Sequence, residues 1–193
     1  RMAPDILREA ERTGGNAFDL LVSGARTVSP GSAGLVYLPY LMGERTPHLD
    51  SSATGVFFGI NASHGREHFF RAVLEGVAFS LRDCLDLLDE LMPGTGSLKA
   101  TGGAVGNPEV RKILADVLER DLEMTETREA PALGAALLAA TGTGYYPDME
   151  KACRQTIRTT GILSPDPETE GAYRRSHSIY KALYRALQPV YRM

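Results

Sequence analysis

The chain has 193 residues, 43% of them hydrophobic and 23% charged, which is typical of a globular protein. Its net charge of −3 gives no reason to expect nucleic acid or a membrane as a partner. No apolar run approaches the roughly 20 residues that span a bilayer, and the first residues lack the apolar stretch of a signal peptide. Cys84 and Cys153 form no metal-type pair, so we expect buried or half-buried thiols in a cytoplasmic protein.

The first third of the chain predicts a helical lead-in, a linker and two short strands. A helix is expected over residues 4–13, and a loop then runs to the Ser-Pro-Gly-Ser turn at 29–32. Residues 1–33 are therefore interpreted as a lead-in and linker. Strands are predicted at 34–39 and 55–60, on either side of a polar loop over 40–50.

The rest of the chain predicts one long helix and then an alternation of strands and helices. Apolar residues at helical spacing predict an amphipathic helix over 66–91: Phe69, Phe70, Val73, Leu74, Val77, Leu81, Leu85 and Leu88. Strands are expected at 98–101 and 122–125, and helices at 107–119, 131–141, 148–158 and 168–187. This order favours the α/β class, with a sheet covered by helices. In the helix over 131–141, Gly134 predicts a close approach to a sheet or ligand, since a mid-helix glycine is otherwise costly.

The turn at 102–107 is the most informative local feature. Gly102 and Gly103 follow a predicted strand, and Asn107 and Pro108 suit the N-cap and first position of the next helix. Glycine lets a ligand approach the backbone closely, and the free amides at a helix N-terminus favour phosphate. On local grounds alone, this segment is either a nucleotide-binding loop or a tight strand-to-helix turn.

The polar loop over 40–50 offers three candidate functional side chains, Glu44, Arg45 and His48. Loops carry functional residues more often than other segments. A salt-bridged structural or interdomain turn is the alternative, and it is the favoured interpretation for each residue. Arg45 is the best candidate for a phosphate contact in an active-site cleft, because the planar guanidinium matches a phosphate group.

Other polar residues are interpreted as structural. Glu75 lies among apolar helix positions, which indicates burial; it either forms a partnered structural contact, the favoured interpretation, or approaches the cleft. His64, His68 and His177 have neither the spacing nor the acidic neighbours of a metal site, so they predict surface or packing roles. We therefore predict no metal ligand in the chain.

Four segments in this order resemble the carboxy-terminal half of the FGGY family of carbohydrate kinases, and within it the xylulokinases. They are Leu-Pro-Tyr-Leu-Met-Gly-Glu-Arg-Thr-Pro-His at 38–48, Gly-Val-Phe-Phe-Gly-Ile at 55–60 with the helix through 68–75, the turn at 102–107 with Leu-Ala-Asp at 114–116, and Ala-Leu-Gly-Ala-Ala at 132–136. The resemblance runs from about residue 34 to the end. It identifies 34–193 as a carboxy-terminal nucleotide-binding domain.

The resemblance implies an actin-like ATPase, ribonuclease H-like domain, the carboxy-terminal half of a two-domain sugar kinase. The implied reaction is ATP-dependent phosphorylation of a sugar hydroxyl with Mg²⁺, D-xylulose giving D-xylulose 5-phosphate. Another pentulose or polyol kinase, for ribulose or glycerol, is the alternative within that class. A non-catalytic actin-like domain that binds a nucleotide or a partner protein is the alternative outside it.

Carried onto this sequence, the resemblance implies that Gly102, Gly103 and Ala104 line the ribose and α-phosphate, with Asn107 near the adenine. Ala104 stands where many members have a third glycine. The family's catalytic base, sugar pocket and other phosphate loops have no match here, so no catalytic residue is predicted. The pentulose would bind through a missing amino-terminal domain, and the isolated chain is expected to be inactive. Apolar surface left uncovered by absent strands leaves a homodimer as a further expectation.

Overall fold

The computed structural model describes residues 4–94, 96–127 and 129–193, so residues 1–3 of the predicted lead-in lie outside the described residues. The helices in the described residues are α1 (Pro4–Thr13), α2 (Ala17–Ala25), α3 (Arg66–Leu91), α4 (Pro108–Leu118), α5 (Ala130–Gly142), α6 (Met149–Thr156) and α7 (Glu170–Tyr191). The strands are β1 (Val36–Leu38), β2 (Val56–Phe58), β3 (Leu98–Ala100), β4 (Leu122–Thr125) and β5 (Thr159–Leu163).

Most predicted elements are confirmed, and α1 and α3 have the predicted bounds. Two elements were missed. Residues 17–25, predicted as part of a loop and linker, form α2, which begins at an Asn16 N-cap whose side-chain oxygen accepts a hydrogen bond from Phe18 N at 2.9 Å. This helix buries Val22 and Ala25, so tertiary packing stabilises a segment too short to predict from its pattern. Strand β5 depends in the same way on its pairing with β4.

The strands form two sheets. β1 and β2 make an antiparallel ribbon, and β3, β4 and β5 form a sheet in that order. β3 and β4 are parallel, with Lys99 opposite Glu123, while β5 runs antiparallel to β4. The connection from β3 to β4 is α4, whose Ala115 and Leu118 pack in one cluster with Leu122 of the sheet. Because β3 and β4 are parallel, the segments that follow them emerge at the same edge of the sheet.

The main core lies between the two-stranded ribbon and the helices α3, α4 and α7, and it includes Tyr173, Tyr180 and Tyr184. The predicted apolar stripe of α3 is only partly buried. Val77 and Leu81 are each 46% exposed and Leu88 is 51% exposed. The buried face of α3 carries Phe79 and Leu85 together with small and charged residues, and it lies directly against β1.

A buried ion pair holds α3 to its surroundings. Arg71 donates from Nε to Oε1 of Glu75 at 2.7 Å and from Nη2 to the hydroxyl of Tyr173 at 2.8 Å. Glu75 also accepts hydrogen bonds from Gly31 N at 3.0 Å and from Ser32 Oγ at 2.8 Å. Burial raises the pKa of the Glu75 carboxyl, and these donors oppose that shift. The prediction of a partnered structural contact for Glu75 is confirmed.

Helix α5 differs from its prediction at Gly134. A Cβ added there would meet no atom within 4 Å, so the close approach to a sheet is not found among the described residues, and a close approach to a ligand stays a prediction. Leu137 is buried in α5, whereas Leu138 is 64% exposed. Neither α5 nor any other helix in the described part of the chain has the length and apolar character required to cross a membrane.

Candidate functional site

A cleft of about 340 Å³ opens where β3 and β4 end, beside the turn at 102–107. Its lining comprises Ala100, Thr101, Gly102, Gly103, Val105, Gly106, Arg111, Met124, Thr125, Glu126 and Thr160. In open α/β sheets, ligands bind in the crevice outside the carboxyl ends of the strands. The volume is at the lower end of the range found for small-molecule sites. This cleft is therefore the candidate binding site.

The turn at 102–107 forms one wall of the cleft, where three glycines and Val105 line the space. Gly102 has a φ of +105°, a conformation that side chains disfavour, and this turns the chain sharply after β3. Gly103 follows with a φ of −61°, and Ala104–Gly106 then form one short 3₁₀ turn. A Cβ added at Gly102, Gly103 or Gly106 would meet no protein atom within 4 Å. The turn therefore leaves the space in front of its backbone open to a ligand.

The structure separates the four residues predicted to contact a nucleotide. Gly102 and Gly103 line the cleft, whereas Ala104 and Asn107 are not among its lining residues. Asn107 caps α4, since its Oδ1 accepts from Glu109 N at 3.0 Å, and its Nδ2 donates to Oδ1 of Asp19 at 2.7 Å. Both polar atoms of Asn107 are thus engaged within the protein, and a contact with a base would have to compete with these bonds.

Sequence reasoning missed the charged residues of the lining, Arg111 and Glu126. Arg111 lies four residues after Asn107, hence on the same side of α4, and donates from Nη1 to the carbonyl of Val105 at 3.2 Å. Glu126 follows Thr125 at the carboxyl end of β4, a position that the strand prediction could have marked. Thr160 lies on β5, which the sequence did not predict, so no signal pointed to it.

The loop over 41–50 lies apart from this cleft. Arg45 is exposed and lines a separate depression of about 520 Å³, which shares no lining residue with the cleft. Glu44 is buried and accepts a hydrogen bond from His48 N at 2.7 Å, and the His48 ring stacks on Tyr184 at 3.6 Å. Burial lowers the pKa of His48, which favours its neutral form. Glu44 and His48 therefore hold the turn, as the structural interpretation predicted.

The prediction for His177 is wrong in one respect, because this histidine does have acidic neighbours. Its Nε2 lies 2.7 Å from Oδ1 of Asp83, and Asp86 is close enough for all three side chains to contact one cation. Arg82 and Lys181 already neutralise Asp86, at 2.8 Å and 3.8 Å. Chain folding brings these residues together from α3 and α7, which no spacing in the sequence could reveal. The arrangement is that of a compensated charge cluster.

The sequence is similar to known proteins over most of its length. Residues 4–143 match the profile of the carboxy-terminal domain of the FGGY family of carbohydrate kinases. The xylulose kinase of Lactococcus lactis is 37% identical over 173 residues, which cover 89% of this chain and 34% of that protein. The gluconokinase of Bacillus licheniformis is 35% identical over 190 residues, which cover 98% of this chain and 37% of that protein.

A solved structure of another sugar kinase has a similar fold. The crystal structure of xylulose kinase from Rhodospirillum rubrum superposes with a TM-score of 0.79 and 33% identity, covering 92% of this chain and 35% of that one. The chain thus spans about a third of the length of the relatives that it matches. The predicted α/β class and the predicted likeness to the carboxy-terminal half of a sugar kinase are confirmed.

Proposed function

The chain belongs to the FGGY family of carbohydrate kinases, and from this premise we propose that it is the nucleotide-binding part of a sugar kinase. In the whole protein, the γ-phosphoryl group of ATP is transferred to a sugar hydroxyl. The observation that carries this proposal is the open glycine wall of the cleft at the ends of β3 and β4. The backbone at these glycines carries no side chain, so it admits a ribose and phosphates at close range.

Gly102 and Gly103 are proposed to line the nucleotide, with Ala104 and Asn107 at the border of the site. Mg²⁺ binds with one or two carboxylates and the substrate phosphates, and the cleft lining offers one carboxylate, that of Glu126. The residues present therefore fit an ion carried mainly by the nucleotide, which would neutralise charge on the phosphates. Arg45 lies in a different depression and is kept as a proposed contact of the wider active-site cleft.

We propose D-xylulose as the sugar, giving D-xylulose 5-phosphate, because the relative with 37% identity is a xylulose kinase. Gluconate is the second candidate, since the gluconokinase of Bacillus licheniformis aligns with 98% of this chain at 35% identity. Neither the catalytic base nor the sugar pocket is assigned to residues of this chain. Turnover of D-xylulose, D-gluconate and glycerol by the whole protein distinguishes the candidates by their kcat/KM values.

Titration of Mg·ADP into this chain by calorimetry tests the nucleotide site. Gly103→Val places a branched side chain in the cleft without backbone strain, because the φ of −61° and ψ of −42° at Gly103 suit any residue. The matched control is Gly171→Val, where an added Cβ also meets no atom within 4 Å and the position does not line the cleft. We expect the wild type and Gly171→Val to bind Mg·ADP alike, and Gly103→Val to lose binding.

Equal binding by all three proteins would refute the assignment of the nucleotide to this cleft. An equal loss of Mg·ADP binding in both valine variants would show a general effect of the substitution. It would count against the assignment as well. An unfolding curve for each variant establishes that the compared proteins are folded.

A further inference from the structure

Among the described residues, the cleft contains an arginine without the acidic partner that the other buried or half-buried arginines have. Four arginines in the described residues are buried or half-buried: Arg71, Arg82, Arg111 and Arg120. Arg71 pairs with Glu75 at 2.7 Å, Arg82 with Asp86 at 2.8 Å, and Arg120 with Asp89 at 2.7 Å. Within the described part of the chain, Arg111 forms no ion pair. A half-buried charge is partly desolvated, and an anionic ligand would offset that cost.

The position of Arg111 decides where such a ligand would lie. The side chain lines the cleft beside the glycine turn, and the hydrogen bond that it forms within the described residues, to Val105 O, uses one of five N–H donors. Glu126 is the other charged residue of the lining, and the two form no ion pair with each other among the described contacts. Among the described residues the guanidinium therefore keeps donors that form no hydrogen bond, and the one carboxylate of the lining, Glu126, forms no ion pair with it.

We propose that Arg111 binds phosphate oxygens of the nucleotide. A guanidinium forms paired hydrogen bonds with a phosphate, and those bonds are stronger than neutral ones. The inference rests on the proposed function for the identity of the ligand, a nucleoside phosphate. Glu126 then sets a limit on affinity, because its negative charge faces the same cleft as the phosphates.

Four probes separate the parts of the ligand: ADP, AMP, adenosine and inorganic pyrophosphate, each titrated by calorimetry without Mg²⁺ at low salt. We expect Arg111→Gln to lower the affinity for ADP and for pyrophosphate by about tenfold, the equivalent of one hydrogen bond to a charged group. Adenosine, which has no phosphate, should bind within about twofold of wild type on the same reasoning. Arg111→Lys keeps the charge but not the planar fork, so its ADP affinity should lie between those of wild type and Arg111→Gln.

Two further variants control for charge and folding. Glu126→Gln should bind ADP more tightly than wild type, because it removes a negative charge from the cleft. Arg175→Gln removes an exposed arginine of α7 outside the cleft and should leave every affinity unchanged. The thermal midpoint of each variant shows whether loss of the Val105 hydrogen bond has altered the fold.

Unchanged ADP affinity in Arg111→Gln would overturn the proposal, and so would an equal loss of adenosine and ADP, which would place the effect on the base or the turn. Wild-type protein that binds none of the four probes would overturn it too. Pyrophosphate binding that requires Arg111, with ADP no tighter than pyrophosphate, would instead support the anion site and refute the nucleotide function.

Discussion

Replacing Gly76 by alanine tests the closest contact between α3 and β1. Gly76 lies in the middle of α3, where an added Cβ would come closer than 3.0 Å to the carbonyl oxygen of Tyr37 and 3.2 Å from the Cδ1 of its ring. The opposing atom belongs to the backbone of a fully buried strand, so it cannot rotate away. Helix and strand must therefore separate by more than about 0.4 Å to restore an ordinary contact.

The change in the free energy of unfolding of Gly76→Ala follows from two opposing effects. Overpacking a core costs about 1–3 kcal/mol, and a clash with backbone belongs at the upper end of that range. Alanine regains about 1 kcal/mol of helix propensity over glycine. The net loss is therefore about 2 kcal/mol in the free energy of unfolding. For a chain of this size that loss lowers Tm by roughly 4–8 °C.

Gly134→Ala in α5 is the matched control, since it makes the same substitution inside a helix where the new Cβ meets nothing within 4 Å. It should stabilise the protein by about 1 kcal/mol and raise Tm by roughly 2–4 °C. Both variants are compared with wild type by urea denaturation followed by circular dichroism. If Gly76→Ala were as stable as wild type, or gained stability like Gly134→Ala, the argument from close packing would be refuted.

Two further predictions concern charged groups. Arg71→Met should lower the free energy of unfolding by about 3–5 kcal/mol, because it leaves the Glu75 carboxylate buried without its cation. Arg154→Met, which breaks a pair with Glu150 whose partners are 77% and 73% exposed, should change it by less than about 0.5 kcal/mol. Hydrogen bonds from Lys99, Ser97 and Thr159 lower the pKa of Glu123 to about 2. Since that pKa lies below the ordinary value of 4.5, the stabilisation is present above pH 4.5 and is lost as pH falls towards 2. Denaturation curves across that range should therefore show a smaller pH dependence for Glu123→Gln than for wild type.

Each of these outcomes can fail in a recognisable way. Similar small losses in Arg71→Met and Arg154→Met would mean that the buried pair gives no more stability than an exposed one. Parallel pH profiles for wild type and Glu123→Gln would show that the bonds from Lys99, Ser97 and Thr159 do not hold the carboxylate ionised.

Local sequence determined the elements whose signals are local. Asn107 and Pro108 mark the start of α4 because an N-cap and a fixed φ act within one helical turn. The long apolar periodicity gives α3 its full extent. The pair Gly102 and Gly103 predicted a turn that a ligand can approach, and the structure shows an open cleft at that point.

Tertiary structure alone decided which residues meet. α2 and β5 exist because α3 and β4 provide partners for them, and no local pattern contains those partners. The sequence marked Gly134 for a close approach to a sheet or ligand, whereas a close helix-to-strand contact lies at Gly76, because it depends on where β1 lies. Arg111 is informative for the same reason. A guanidinium is present in the sequence, but whether a carboxylate neutralises it is settled by side chains that folding brings from distant positions.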